Sequence, residues 1–94
     1  MNCIEVISVR AADTNRIQEM IRILEQIQHT GTESSDIHMK LYTRSDLEGD
    51  VSVYLFHDHP DQLSGKSRLG HTMADLLSGF GHVSHSIWLE KADY

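Results

Sequence analysis

The sequence predicts an α+β fold in which two helices cover one face of a four-stranded antiparallel sheet. Three segments alternate hydrophobic and polar residues, two segments repeat hydrophobic residues at spacings of three and four, and one further segment is rich in Ile and Val. Their order is strand, helix, strand, strand, helix, strand. With 39% hydrophobic and 23% charged residues, the 94-residue chain has a globular composition, and we expect a single domain over residues 1–94.

The first strand is predicted from Cys3 to Arg10, and its apolar residues fall on both faces, as in a central strand covered on both sides. Asp13 or Thr14 can cap the helix that follows. Gly31 is predicted to end this helix. The apolar stripe of the helix consists of Ile17, Met20, Ile21, Leu24 and Ile27.

A hairpin is predicted next, because two alternating runs flank the turn SDLEGD. The second helix should run from about Ser64 to Ser78, with Ser64 as its cap, and should end at Gly79. The chain closes with a fourth strand in the segment GHVSHSIWLEK. The apolar stripe of the second helix consists of Leu69, Met73, Leu76, Leu77 and Phe80.

This element order predicts a ferredoxin-like βαββαβ unit. The odd-numbered residues of the second, third and fourth strands carry most of the aliphatic side chains and should face the helices. The other face would then remain open, and an exposed aromatic patch of this size is typical of an interface. We therefore expect a homodimer that associates through the open face. That face is predicted to carry Lys40, Tyr42, Tyr54, Phe56, Ser84, Ser86 and Trp88.

Charge and composition exclude several kinds of partner. The formal charge of -6, with scattered basic residues, argues against nucleic acid, although RNA-recognition domains share this topology and stack bases on open-face aromatics. No apolar run approaches the length of a membrane span, and the start MNCIEVIS lacks the features of a signal peptide. We expect a cytoplasmic protein without a membrane partner. Cys3, the only cysteine, is expected to be a small core residue.

The triplet Gly65-Lys66-Ser67 is similar to the end of a phosphate-binding loop, but the required first glycine is replaced by Pro60. Proline supplies no backbone amide there. The triplet is better explained as the first turn of the second helix, and no nucleotide is expected.

A second cluster, His57-Asp58-His59 with Asp61, offers possible metal ligands. His85 lies two strands away from His57, and His71 should point to solvent, so neither histidine completes a site. We expect no bound metal and no cofactor. A metal at His57, His59 and Asp61 remains the alternative.

His57 and His85 are the candidate catalytic residues. Both fall on the face turned toward the helices, where a histidine is either a hydrogen-bonded core residue or part of a ligand pocket in which it transfers a proton.

The stretch DIHMKLYTRSDLEGDVSVYLFHD resembles the central hairpin of the dimeric αβ-barrel superfamily, in particular the small antibiotic-biosynthesis-monooxygenase-like proteins. The resemblance implies two sheets packed open face to open face and a pocket between sheet and helices. It also implies cofactor-free oxygenation of quinol-like aromatics or, in one branch, haem degradation. The tryptophan common at the end of the family's third strand is replaced by Phe56 or His57. The asparagine of the haem-degrading branch is absent from strand one, where Ser8 is the nearest polar residue.

The sequence therefore predicts a dimeric αβ-barrel protein that acts on small aromatic or quinol-like compounds. One imidazole would accept a phenolic proton. The competing hypothesis is a non-catalytic ligand-binding or assembly module of the same fold.

Overall fold

The computed structural model describes residues 3–30, 37–57 and 65–92, which form one sheet and two helices. The elements are β1 (Cys3–Ala11), α1 (Ile17–Thr30), β2 (Ile37–Thr43), β3 (Asp50–His57), α2 (Arg68–Ser78) and β4 (Gly81–Leu89). The sheet order is β2-β3-β1-β4, and every neighbouring pair is antiparallel. This arrangement confirms the predicted ferredoxin-like α+β fold.

Strand β1 is central, as predicted, because it pairs with β3 on one side and β4 on the other. Along β1, odd-numbered side chains are buried beneath the helices and even-numbered side chains reach the open face. The β2–β3 hairpin turns at Gly49, whose φ of 103° is a conformation that glycine adopts without a steric penalty.

Both helices pack most of their predicted apolar stripes against the sheet, but in α1 the core contacts include Ile23 and not the predicted Ile21. A short 3-10 turn, Thr14–Arg16, precedes α1, and the Asp13 side chain caps this turn by accepting the amide hydrogen of Asn15 at 3.0 Å. Gly31, the predicted end of α1, lies outside the described residues. The buried core consists of Ile7, Val9, Met20, Leu24, Met39, Val51, Val53, Leu55, Met73, Leu77 and Phe80.

The start of α2 differs from the prediction. The helix begins at Arg68, and its N-cap is Ser67, whose hydroxyl accepts the amide hydrogen of Gly70 at 2.9 Å. The triplet Gly65-Lys66-Ser67 therefore precedes the helix instead of forming its first turn. Ser64, the predicted cap, lies outside the described residues, as does Pro60.

The open face carries the side chains predicted for it. Trp88 is 63% exposed, and Tyr42 is also exposed. Tyr42 packs edge to face on Tyr54 at 4.9 Å between ring centroids, and Phe56 lies 6.3 Å beyond Tyr54. Within the described ranges, no helix combines the length and hydrophobicity needed to span a bilayer.

Candidate functional site

The candidate site is built around Glu5, an acidic residue in the middle of the central strand. Its side chain is completely inaccessible to solvent. An ionised carboxylate in such a position is stable only if its oxygens accept hydrogen bonds. We refer to Glu5, His57, Ser67 and His85 as the Glu5 cluster.

Four donors surround the Glu5 carboxylate. Oε1 accepts from Nε2 of His57 at 2.9 Å and from Oγ of Ser67 at 2.7 Å. Oε2 accepts from Nε2 of His85 at 2.5 Å and from the backbone N–H of Ser67 at 3.2 Å. A carboxylate offers about four acceptor positions, so all of them are occupied.

The register of the sheet places the two histidines on either side of Glu5. His57 in β3 is opposite Cys3, and His85 in β4 is opposite Ile7. Each histidine is thus a diagonal neighbour of Glu5 on the same face of the sheet. Diagonal pairs lie about 7–8 Å apart at the backbone, a distance that a glutamate and an imidazole can bridge together.

The fourth side of the cluster is the N-terminus of α2. The Ser67 hydroxyl donates to Glu5 while it accepts from Gly70, so one side chain caps the helix and binds the carboxylate. The positive end of the helix dipole also favours a negative charge here. At Gly70, a methyl group would overlap the Glu5 carboxylate and would lie 2.9 Å from Nε2 of His85. The close approach of helix and sheet therefore requires a glycine.

These contacts determine the charge of the Glu5 carboxylate. Burial alone would raise the pKa of Glu5, but the hydrogen bonds from Ser67, His85 and His57 together lower it below the usual 4.5. Glu5 is therefore ionised at neutral pH. Burial, with the nearby Glu5 charge, has the opposite effect on Cys3 and raises the pKa of its thiol.

The ionised carboxylate also selects the tautomer of both histidines. Because the carboxylate accepts hydrogen bonds, Nε2 of His57 and Nε2 of His85 carry hydrogen. In a neutral imidazole the other nitrogen, Nδ1, is then a base. No hydrogen bond to either Nδ1 is found among the described residues. This carboxylate–imidazole arrangement is the one that orients a histidine base in many hydrolases.

The two predicted catalytic residues, His57 and His85, are therefore brought together through a shared carboxylate. Their side chains are 5% and 8% exposed. His71 is exposed, as predicted, and its ring packs edge to face on that of His85 at 5.5 Å between centroids.

Three of the possible metal ligands near His57, namely Asp58, His59 and Asp61, lie outside the described residues. Within the part of the chain that is described, no group of three or more His, Cys, Asp or Glu side chains is arranged to hold a metal ion.

Sequence reasoning missed Glu5 and Ser67. Ser8, the polar residue of strand one nearest to the position of the family's asparagine, lies on the open face, where its hydroxyl bonds that of Ser52 at 2.8 Å. The alternation of β1 contained the missing signal, because Cys3, Glu5, Ile7 and Val9 share one face. Because the apolar residues of β1 fall on both faces, the sequence pattern did not single out Glu5 as the one acidic residue on the helix-facing side.

A cavity among the described residues lies on the opposite side of the sheet. This open-face cavity has a volume of about 570 Å³. It occupies the end of the open face where Arg10 pairs with Asp50 and His82, whereas Trp88 lies at the other end beside Ile4. The side chains that matter for its chemistry are Ser8, Arg10, Tyr42, Arg44, Asp50 and Tyr54.

Fold and site together define a small ferredoxin-like α+β protein with a buried carboxylate–imidazole cluster. Its structure is similar to that of a conserved protein from Methanosarcina mazei Go1, with a TM-score of 0.73, 11% identity and coverage of 97% of this chain and 94% of that chain. Rv0793 from Mycobacterium tuberculosis is also similar, with a TM-score of 0.69, 8% identity and coverage of 99% and 98%. At such low identity the similarity shows the fold alone. No protein-family model matches the sequence, and no curated protein is significantly similar to it.

Proposed function

We propose that the protein is a homodimer of the αβ-barrel kind, similar to the antibiotic-biosynthesis-monooxygenase-like proteins, and that each subunit oxygenates a small phenolic or quinol-like aromatic. The observation that carries the proposal is the shared Glu5 carboxylate, which orients His57 and His85 and leaves Nδ1 of each as a base.

Proton transfer is the step to which these residues are suited. Nδ1 of one imidazole accepts the phenolic proton, the O–H bond breaks, and the phenolate keeps the electron pair. The resulting imidazolium still donates its Nε2–H to Glu5, and the negative carboxylate stabilises the new positive charge. Dioxygen, the co-reactant of this class, then oxidises the electron-rich phenolate without a cofactor. One oxygen atom becomes a carbonyl of the product, and the other leaves as water with the proton returned by the imidazolium and the hydrogen lost from the ring carbon. Phenol and dioxygen thus give quinone and water.

The aromatic composition of the open face supports the homodimer. Trp88, Tyr42, Tyr54 and Phe56 leave a large apolar area in contact with water, and such areas on small domains are typical of interfaces. Trp88 donates its indole N–H to Ser86 at 2.9 Å, so its ring can be covered without leaving that donor unpaired.

Turnover of quinol or polyphenol substrates under oxygen tests the catalytic role. We expect His57→Ala or His85→Ala, whichever removes the histidine that acts as the base, to lower kcat at least about 100-fold, the usual contribution of a general base. His38→Ala is the matched control, because His38 is exposed on the edge strand β2, away from Glu5. Unchanged turnover in both cluster variants would refute the catalytic role.

One observation favours the alternative of a non-catalytic module. The Glu5 carboxylate is fully hydrogen-bonded inside the protein, and both histidines are nearly inaccessible, as expected of a cluster that only joins β1, β3, β4 and α2. Thermal-shift screening with small phenols separates the two functions. Stabilisation that disappears in His85→Ala favours catalysis, and the absence of any stabilising ligand favours the module.

A further inference from the structure

We propose that the two subunits of the homodimer pack with their strands aligned, so that Arg10 of each subunit pairs with Asp50 of the other. This inference rests on the proposed homodimer and adds to it the direction of the twofold axis and the charged residues that meet there. It is carried by the polarity of the open face, which changes from apolar to charged along the strands.

The register of the sheet arranges the side chains of the open face in rows that run across the strands. Residues directly opposite one another on neighbouring strands share a row. One end of the face is apolar, the other end is charged, and serines lie between them. From the apolar to the charged end, the rows across β3, β1 and β4 are Phe56, Ile4 and Trp88; Tyr54, Val6 and Ser86; Ser52, Ser8 and Ser84; and Asp50, Arg10 and His82.

This polarity selects one direction for the twofold axis. Two sheets that pack face to face through a twofold axis have that axis in the plane between them. An axis parallel to the strands places each row over the same row of the partner, whereas a perpendicular axis places Arg10 over the partner's Ile4. The perpendicular axis would therefore remove a guanidinium from water against an apolar side chain, which is unfavourable. Aligned strands are also one of the two usual arrangements of stacked sheets.

The parallel axis also brings opposite charges together. The sheet order β2-β3-β1-β4 has its midline between β3 and β1. Rotation about an axis along this midline places β1 over the partner's β3, and therefore Arg10 over the partner's Asp50. The symmetry forms this pair twice, so two arginines and two aspartates meet as a neutral group. The neighbouring Arg44 is itself neutralised by Asp46 at 2.7 Å.

Arg10 and Asp50 have the hydrogen-bonding capacity for a second pair. Within one subunit, Asp50 accepts from Nε and Nη2 of Arg10 at 3.1 and 3.4 Å and from Nη1 of Arg44 at 3.2 Å. These bonds use three of the roughly four acceptor positions of a carboxylate and two of the roughly five donors of a guanidinium. The side chain of Arg10 is 67% exposed, and the open-face cavity beside it leaves room for the partner's side chains. Charge-assisted bonds in such a place would fix the orientation of the dimer.

Charge reversal in separate subunits tests the orientation. Arg10→Asp makes both positions negative and Asp50→Arg makes both positive, so each variant alone should dimerise at least about thirtyfold more weakly than the native chain. An equimolar mixture of the two should recover the native dissociation constant to within about threefold, because every pair across the heterodimer then has opposite charges. Sedimentation velocity measures the association. Arg22→Asp, which reverses an exposed charge on α1, is the matched control and should dimerise as the native chain does.

Isotope-filtered NMR of the native sequence tests the orientation without a variant. In a mixture of labelled and unlabelled subunits, the Ile4 methyl groups should contact the partner's Phe56 ring. Contacts of Ile4 with the partner's Arg10 would overturn the proposal, as would a mixture of variants, folded by circular dichroism, that stays as dissociated as its components. A native chain that sediments as a protomer would overturn the homodimer as well, whereas a native dimer with other contacts would overturn only the orientation.

Discussion

Glu5 is a charged side chain in a position where most proteins place a hydrophobic one. Removing a carboxylate from water costs several kcal/mol, and the cost is offset here by four hydrogen bonds and the N-terminus of a helix. The donors come from three different parts of the fold, namely β3, β4 and the start of α2. The carboxylate thus depends on the complete tertiary structure.

The first prediction concerns this dependence. Glu5→Gln replaces one acceptor oxygen by an NH₂ group that faces donors from Ser67 or a histidine. We expect the free energy of unfolding in urea to fall by about 2–4 kcal/mol. Glu19→Gln is the control, because Glu19 pairs with Arg16 at the surface and its loss should have little effect. Equal stability of the two variants would contradict the role assigned to Glu5.

The second prediction concerns pH. The pKa of Glu5 is lower in the folded protein than in the unfolded chain, so the stability contributed by its charge is present above pH 4.5 and is lost as pH falls through the folded value. The free energy of unfolding should therefore decrease below about pH 4.5. In the Glu5→Gln variant, the free energy of unfolding should decrease less steeply as the pH falls. Urea titrations from pH 7 to pH 3 measure both slopes, and parallel slopes would exclude Glu5 as the responsible group.

At the scale of elements, α2 is positioned by its first turn. Gly70 lets the helix approach the sheet, and Ser67 joins the helix to Glu5. The C-terminal end of α2 has room for a side chain, because a methyl group at Gly79 would meet only a backbone oxygen of Leu76 at 3.5 Å. The two glycines should therefore respond in opposite ways to the same substitution.

The third prediction uses this contrast. Gly70→Ala should destabilise the protein by about 1–3 kcal/mol, since the added methyl group displaces the Glu5 carboxylate, although alanine favours helices. Gly79→Ala should be neutral or slightly stabilising, because Gly79 has an ordinary helical φ of -71°. Urea denaturation of both variants provides the measurement. A stable Gly70→Ala variant would mean that α2 can move away from the sheet at little cost.

The sequence predicted the elements of this fold better than it predicted their junctions. Alternation identified β2, β3 and β4, and it correctly assigned His57 and His85 to the helix-facing side, because one face of each strand is solvated. The predicted N-cap of α2, Ser64, precedes the observed N-cap, Ser67, by three residues, because serine is a good cap at either position. The choice of Ser67 depends on Glu5, which lies 62 positions away in the sequence. Long-range contacts of this kind have no local signal.

At the scale of the whole molecule, the two faces of the sheet differ in how well they are covered. The helices cover one side of the sheet, and Trp88 protrudes from the other. A chain of this size buries only about 60–65% of its surface, so covering the aromatic face would contribute substantially to stability.

The fourth prediction follows from the proposed dimer. Sedimentation velocity at micromolar concentration should show a dimer for the native sequence. Trp88→Lys should weaken association about thirtyfold or more, as expected when a tryptophan that is buried in an interface is replaced by a charged residue. Leu47→Lys, at an exposed position in the β2–β3 turn, is the control. Trp88 is the single tryptophan, so its emission should also shift to longer wavelength as the protein is diluted. Sedimentation as a single protomer at every micromolar concentration tested would rule out the dimer.

The shared carboxylate has a practical consequence for redesign. His57 ends β3 and Ser67 caps α2, and both side chains donate to Oε1 of Glu5. One oxygen atom therefore joins the end of a strand to the start of a helix, although ten positions separate the two donors in the sequence. Any redesign of β3 or α2 must keep both donors within hydrogen-bond distance of this oxygen.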